Sequence, residues 1–218
     1  MIKFDENKAQ LFWANKKIKT LKEDPTRHGD DKRISFDVQL IKNVIEKYDN
    51  IKKILDLGSG TGQLSAALQP IFPLSNFTLV EKNSYFTKHL KNERFHVINC
   101  DIEHFLNSEV NHFDLILLFG VINSISEDRA QYIYERLSSI ILAGSYLIIK
   151  HQCGVNSEVI VDKFSIDLNA EYTARYPYIN SEIKSLKKFF DLDIVDIYPN
   201  YLNKFKDTHF YAFICKKR

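Results

Sequence analysis

Three glycines at alternate positions close a short apolar run in Ile54-Leu55-Asp56-Leu57-Gly58-Ser59-Gly60-Thr61-Gly62-Gln63, and no other segment restricts the fold as tightly. A buried strand, a glycine turn and then a helical stretch (Gln63 to Gln69, stopped by Pro70) make the opening unit of a doubly wound α/β fold. Glycine at 58, 60 and 62 lets the backbone turn sharply and lets a ligand approach the main chain closely. The pattern recurs downstream. Phe77 to Val80, Phe95 to Asn99, Phe113 to Phe119 and Ser145 to Lys150 read as strands. Helices are predicted over Ser84 to Lys91 and from Ser126 to Ala143, where Gly144 ends the run. Short apolar strands separated by helices predict a parallel sheet covered on both faces.

Both ends of the chain depart from this rhythm. Residues ~5–22 are amphipathic but untidy, and Asp24 to Asp31 are loop formers. Ser35 is the expected cap of a second helix carrying Leu40, Ile41, Val44 and Ile45. Residues 1–50 therefore read as an N-terminal helical cap, and 51–218 as one compact domain. After an irregular stretch (~152–178) come a helix (~180–190) and two strands, Asp193 to Tyr198 and Thr208 to Cys215. About nine residues join those strands, too few for a parallel crossover, so the last strand is predicted antiparallel.

Composition excludes several classes. The 218 residues carry 30 Lys and Arg against 28 Asp and Glu, and this balance argues against a protein held by nucleic-acid phosphates. Sixteen Phe and 11 Tyr argue against disorder. The longest apolar runs, such as Leu115 to Phe119, are too short to cross a bilayer, and the first residues show no apolar signal region. Cys100, Cys153 and Cys215 are scattered and odd in number, which predicts idle thiols in a reducing cytoplasm and no metal site.

The glycine spacing differs from the G-x-G-x-x-G of dinucleotide sites, and the Gly-Lys-Ser/Thr close of a phosphate loop is absent. Asp56 inside the strand would repel a pyrophosphate but suits a cationic ligand bearing an ammonium and a sulfonium. Ile54 to Gly62 resembles the first motif of the class I S-adenosylmethionine-dependent methyltransferases, and the likeness extends from about residue 51 to the C-terminus. It implies a Rossmann-like seven-stranded sheet with an antiparallel last strand and S-adenosyl-L-methionine as cofactor. On that resemblance Asp56, Gly58, Ser59, Gly60, Thr61 and Gly62 cradle the cofactor. Glu81, with Lys82 beside it, lies where a carboxylate accepts from both ribose hydroxyls. Asp101 and Ile102 lie where an acceptor meets the adenine amine and an apolar side chain packs on the ring. Asp101 also suits a helix cap. Phe119 and Gly120 lie along the methionine end, with Asn123 near the acceptor, and Arg33 is a candidate partner for the cofactor's carboxylate.

Methyl transfer to a hydroxyl needs an aligned acceptor and a group that takes its proton. His151, which ends the fifth strand, is the first candidate for that base, with His28 second and His209 also considered. The Asp/Asn-Pro-Pro-Tyr/Phe and Pro-Cys signatures of base methylation are absent after the fourth strand. The expected function is therefore methyl transfer to oxygen or nitrogen of a small molecule such as a sugar or another biosynthetic precursor. An RNA methyltransferase, an inactive cofactor-binding module and an NAD(P) oxidoreductase are the alternatives.

Overall fold

The computed structural model describes residues 3–18, 31–45, 50–88, 90, 93–108, 112–166, 168–203 and 205–218. Seven strands form one sheet: β1 (Lys53–Leu57), β2 (Asn76–Val80), β3 (Phe95–Ile98), β4 (Leu115–Phe119), β5 (Tyr146–Gly154), β8 (Phe190–Asp196) and β9 (Thr208–Lys217). Their spatial order is β3-β2-β1-β4-β5-β9-β8. The first five pair in parallel, and β9 runs antiparallel to both β5 and β8, as the short β8–β9 connection requires.

Continuous apolar strands feed two cores, one on each face. In β4, Ile116 and Leu118 join Leu55 and Leu57 of β1 in one core, while Leu115 and Leu117 join Ile54 in the other. Helices cover both faces: α3 (Gln63–Leu68), α4 (Ser84–Thr87), α5 (Ile102–Asn107), α6 (Glu127–Ile140) and α7 (Ile179–Leu186), with α1 (Glu6–Asn15) and α2 (Asp31–Val44) preceding the sheet. Ser126 caps α6 by accepting from the Arg129 amide at 3.4 Å.

Several boundaries differ from those the sequence predicts. The helix α2 begins at Asp31, so Ser35 lies inside it and donates to the Lys32 carbonyl at 2.7 Å instead of capping. The helix α1 stops at Asn15, because Lys16 is extended. The helix α6 stops at Ile140, because Ile141 turns extended and buries itself completely, leaving Gly144 (φ +86°) to the turn that follows. The largest difference lies in the stretch expected to be irregular. There β5 continues to Gly154, and β6 (Val159–Ser165) and β7 (Ala170–Tyr176) form a separate antiparallel ribbon. Val159, Ile160, Val161, Tyr172, Thr173 and Tyr176 are strand-favouring residues, and Asn169 (φ +47°) takes the left-handed turn position.

Leu117 is fully buried in a central strand, whereas Leu142 is 41% exposed. Leu117→Ala is expected to lower unfolding free energy by about 2–5 kcal/mol, and Leu142→Ala to leave it within about 0.5 kcal/mol, both measured by urea denaturation.

Candidate functional site

The carboxyl ends of β1, β2, β4 and β5 open into one cavity of about 700 Å³. The loop after β1 forms its edge. Gly58, Gly60 and Gly62 sit at φ +72°, +55° and +70°, a region that favours glycine. A Cβ on Gly58 would collide with Val121, and one on Gly62 with Leu90. The loop is tied to the end of β2, since the Gly58 and Ser59 amides donate to the Val80 carbonyl at 2.8 and 3.1 Å. The Glu81 carboxylate completes the tie. It accepts from the Gly60 amide at 2.9 Å and from the Asn83 amide at 2.8 Å, one bond to each oxygen.

Two buried acids meet here. The Asp56 carboxyl, bonded to the Ser65 hydroxyl at 2.6 Å, is pushed up to about 6; burial drives the shift, the Ser65 bond opposes it and the Glu81 charge adds to it. Burial also raises Glu81, against the hydrogen bonds it accepts. Further round the cavity Asp101 caps α5 by accepting from the Glu103 amide at 3.0 Å, and it faces Arg129 at 3.5 Å. Ile102, Phe119 and Gly120 line the same wall. The Ser59 hydroxyl and the Trp13 indole N–H are cut off from solvent, line the cavity and have no hydrogen-bond partner among the described residues.

The helix α1 lies across this half of the cavity, fastened by polar bonds. Gln10 donates to the Ser124 carbonyl at 2.6 Å and accepts from Lys82, whose ammonium burial pulls below its usual range. Asn83 donates to the Trp13 and Lys16 carbonyls at 2.7 and 2.9 Å, and Arg129 holds Glu6 at 2.8 Å.

The candidate bases fare differently. His151 is completely buried and turned away from the cavity. Strand alternation gives the cavity face to Lys150 and Gln152, so the imidazole between them enters the opposite core. There its ring lies 5.2 Å from that of Phe213, and Nε2 lies 3.2 Å from a Glu182 oxygen. Its burial and orientation remove it as the acceptor's base. His28 lies outside the described residues, and His209 pairs with Asp196 at 2.9 Å. Asn123 borders the cavity, but its amide bonds the Gln152 and Arg175 main chains. Arg33 reaches the cavity from α2 and donates to the Leu202 carbonyl at 2.8 Å. The residues that the sequence reading missed are Lys150, Asp37 and Tyr198, which meet on the cavity wall. Face parity in β5 was the available signal, since residues 150 and 152 must share a face.

Residues 54–143 match a family model described as a methyltransferase domain. No curated protein sequence matches the chain. The fold is similar to that of a S-adenosylmethionine-dependent methyltransferase from Leishmania major, with TM-score 0.70 and 12% identity, over 97% of this chain and 82% of that one. A second such enzyme, from Clostridium acetobutylicum, aligns with TM-score 0.63 and 20% identity over 91% and 97% of the two chains. The N-terminal domain of EvdMO1, solved in the presence of SAH and D-fucose, aligns with TM-score 0.63 and 11% identity over 98% and 95%. By the family match over residues 54–143 and the shared fold, the chain resembles the S-adenosylmethionine-dependent methyltransferases.

Asp56 gives a pH signature. Between its ordinary value of 3.8 and about 6, the folded protein holds this proton more firmly than the unfolded chain, so stability falls as pH rises through that window. Asp56→Asn is expected to be more stable than the parent by about 2–3 kcal/mol near pH 7.5, with the gap closing near pH 4. Urea unfolding at both pH values checks this, and a pH-independent gap contradicts it.

Proposed function

We propose that this enzyme methylates an oxygen or nitrogen atom of a small molecule, with residues 1–50 serving as a cap over the methyltransferase domain of residues 51–218. The observation that carries this reading is the shape of the cavity. It runs from the glycine loop past Phe119 and Gly120 to a wall that includes Val161, Tyr172, Tyr176 and Phe210. A cavity of this volume is in the range of small-molecule sites, and α1 restricts its mouth.

The residues fit the cofactor. A glycine loop at the cavity edge, an unpartnered Ser59 hydroxyl, and two buried carboxylates suit a cationic ligand with a diol. S-adenosylmethionine, when bound, supplies an electrophilic methyl on a sulfonium. In our reading Gly58, Ser59, Gly60 and Thr61 with Asp56 hold its amino-acid and sulfonium portion, and Gly62, which packs against Leu90 and Leu79 and does not line the cavity, shapes the turn behind them. Glu81 accepts from the ribose hydroxyls, and its two backbone bonds fix its orientation for that task. Lys82 lies beside it. Asp101 accepts from the adenine amine, and Ile102 packs on the ring. Phe119 and Gly120 border the space for the acceptor, where desolvation and alignment do the catalytic work.

Charge pairing supports a small acceptor over RNA. Lys8, Arg129, Arg175, Lys216 and Arg218 all pair with acidic side chains. The EvdMO1 domain was solved with a sugar, which favours including hydroxylated acceptors in any screen.

Release of S-adenosylhomocysteine should appear with a panel of small hydroxylated or amino compounds and not with RNA; turnover on RNA alone would overturn the acceptor class. Glu81→Gln is expected to weaken S-adenosylmethionine binding by about 10- to 100-fold in calorimetry, because a charged acceptor is lost.

A further inference from the structure

The polar cluster around Lys150, midway along β5, has no part in the cofactor roles proposed above, and Arg33, which the sequence offered for the cofactor's carboxylate, lies with it. Lys150 stands beside Phe119 in the β4–β5 register, with its ammonium 4.8 Å from the centre of that ring. It is only 9% exposed. It donates to an Asp37 oxygen at 2.5 Å and to the Tyr198 hydroxyl at 2.8 Å, and Tyr198 donates to the other Asp37 oxygen at 2.9 Å. Both carboxylate oxygens of Asp37 are therefore engaged, while the ammonium commits two of its three N–H groups to polar partners. Arg33 lies over the rings of Tyr198 and Phe210, at 5.5 and 5.0 Å from their centres, and its charge opposes that of Lys150.

Lys150 pairs with Asp37, and Arg33, bonded to the Leu202 carbonyl, adds a second positive charge nearby, which leaves a surplus positive charge in an aromatic setting. Lys163 and Asp207 also line the cavity, one of each sign, and do not alter that surplus. At the other end the lining residues Asp56, Glu81 and Asp101 outnumber Lys82 and Arg129. The cavity is polarised, acidic where a cationic cofactor fits and basic where the acceptor fits. Burying a lysine and an aspartate gains little stability over apolar side chains of the same shape, so their presence on a cavity wall points to a ligand.

We propose that Lys150, oriented by Asp37 and Tyr198 and reinforced by Arg33, is the anion-binding centre of the acceptor pocket, and that the acceptor is a compact aromatic or apolar molecule bearing a carboxylate or similar oxyanion. This rests on the methyltransferase reading and names its substrate class. Phe119, Tyr198 and Phe210 supply the apolar surface, and the cations anchor the acidic end.

Three probes of one shape and different charge test it: 1-naphthoate, 1-naphthamide and 1-naphthylmethylammonium, titrated calorimetrically into the full chain saturated with S-adenosylhomocysteine. The expected result is naphthoate binding about tenfold or more tighter than the amide, with the ammonium weakest. Lys150→Met should erase the preference for naphthoate and leave S-adenosylhomocysteine affinity unchanged, and Lys150→Arg should keep the preference. Equal or absent binding of the three probes overturns the proposal. So does a Lys150→Met variant that loses S-adenosylhomocysteine affinity, which would assign the ammonium to the cofactor's carboxylate. Failure of the parent to bind S-adenosylhomocysteine at all would instead strike the methyltransferase reading.

Discussion

The carboxylate of Glu81 and the carbonyl of Val80, adjacent at the end of β2, hold the loop after β1 in a shape it would not keep alone. Three residues with positive φ in five positions are costly to order, and glycine pays more than any other residue. The bonds from Gly58, Ser59 and Gly60 offset that cost and fix the edge of the cavity. The same carboxylate accepts from the Asn83 amide, and Asn83 in turn binds the end of α1. One acidic side chain therefore connects the loop, the second strand and the N-terminal helix. A parallel sheet made this possible, because it presents the ends of neighbouring strands on one side.

Polarisation of the cavity follows from where the sheet places its charged residues. Asp56 is the next-to-last residue of one central strand and Lys150 lies midway along another, and β4 lies between them with Phe119 at its tip. Both groups are desolvated, so each charge is felt strongly by whatever enters. A cofactor carrying positive charge lowers the cost of ionised Asp56 and Glu81. An anionic acceptor does the same for Lys150 and Arg33.

The strand–glycine–helix unit, the order of alternation and the antiparallel last strand were all legible in the sequence, because a continuous apolar strand and a short connection leave few alternatives. Glu81, Phe119 and Gly120, expected on the cofactor side, meet at the cavity because each lies at or just past a strand end. The ribbon β6–β7 was not, because half-exposed strands such as Val159–Ser165 lack a strong apolar run. The face that His151 occupies follows from strand parity and not from its chemical type, since Lys150 and Gln152 take the cavity side. A fully buried strand has two apolar faces, and only the neighbours of a residue reveal which face meets the ligand. The Lys150, Asp37 and Tyr198 cluster joins positions 37, 150 and 198, a long-range meeting that local pattern does not show.

A crystal structure of the chain grown with S-adenosylhomocysteine tests the central claim most directly. The account predicts the adenosine ribose against the carboxylate of Glu81, with the glycine loop unchanged in backbone conformation. A nucleoside bound elsewhere, or Glu81 swung out of the cavity to admit it, would contradict the account.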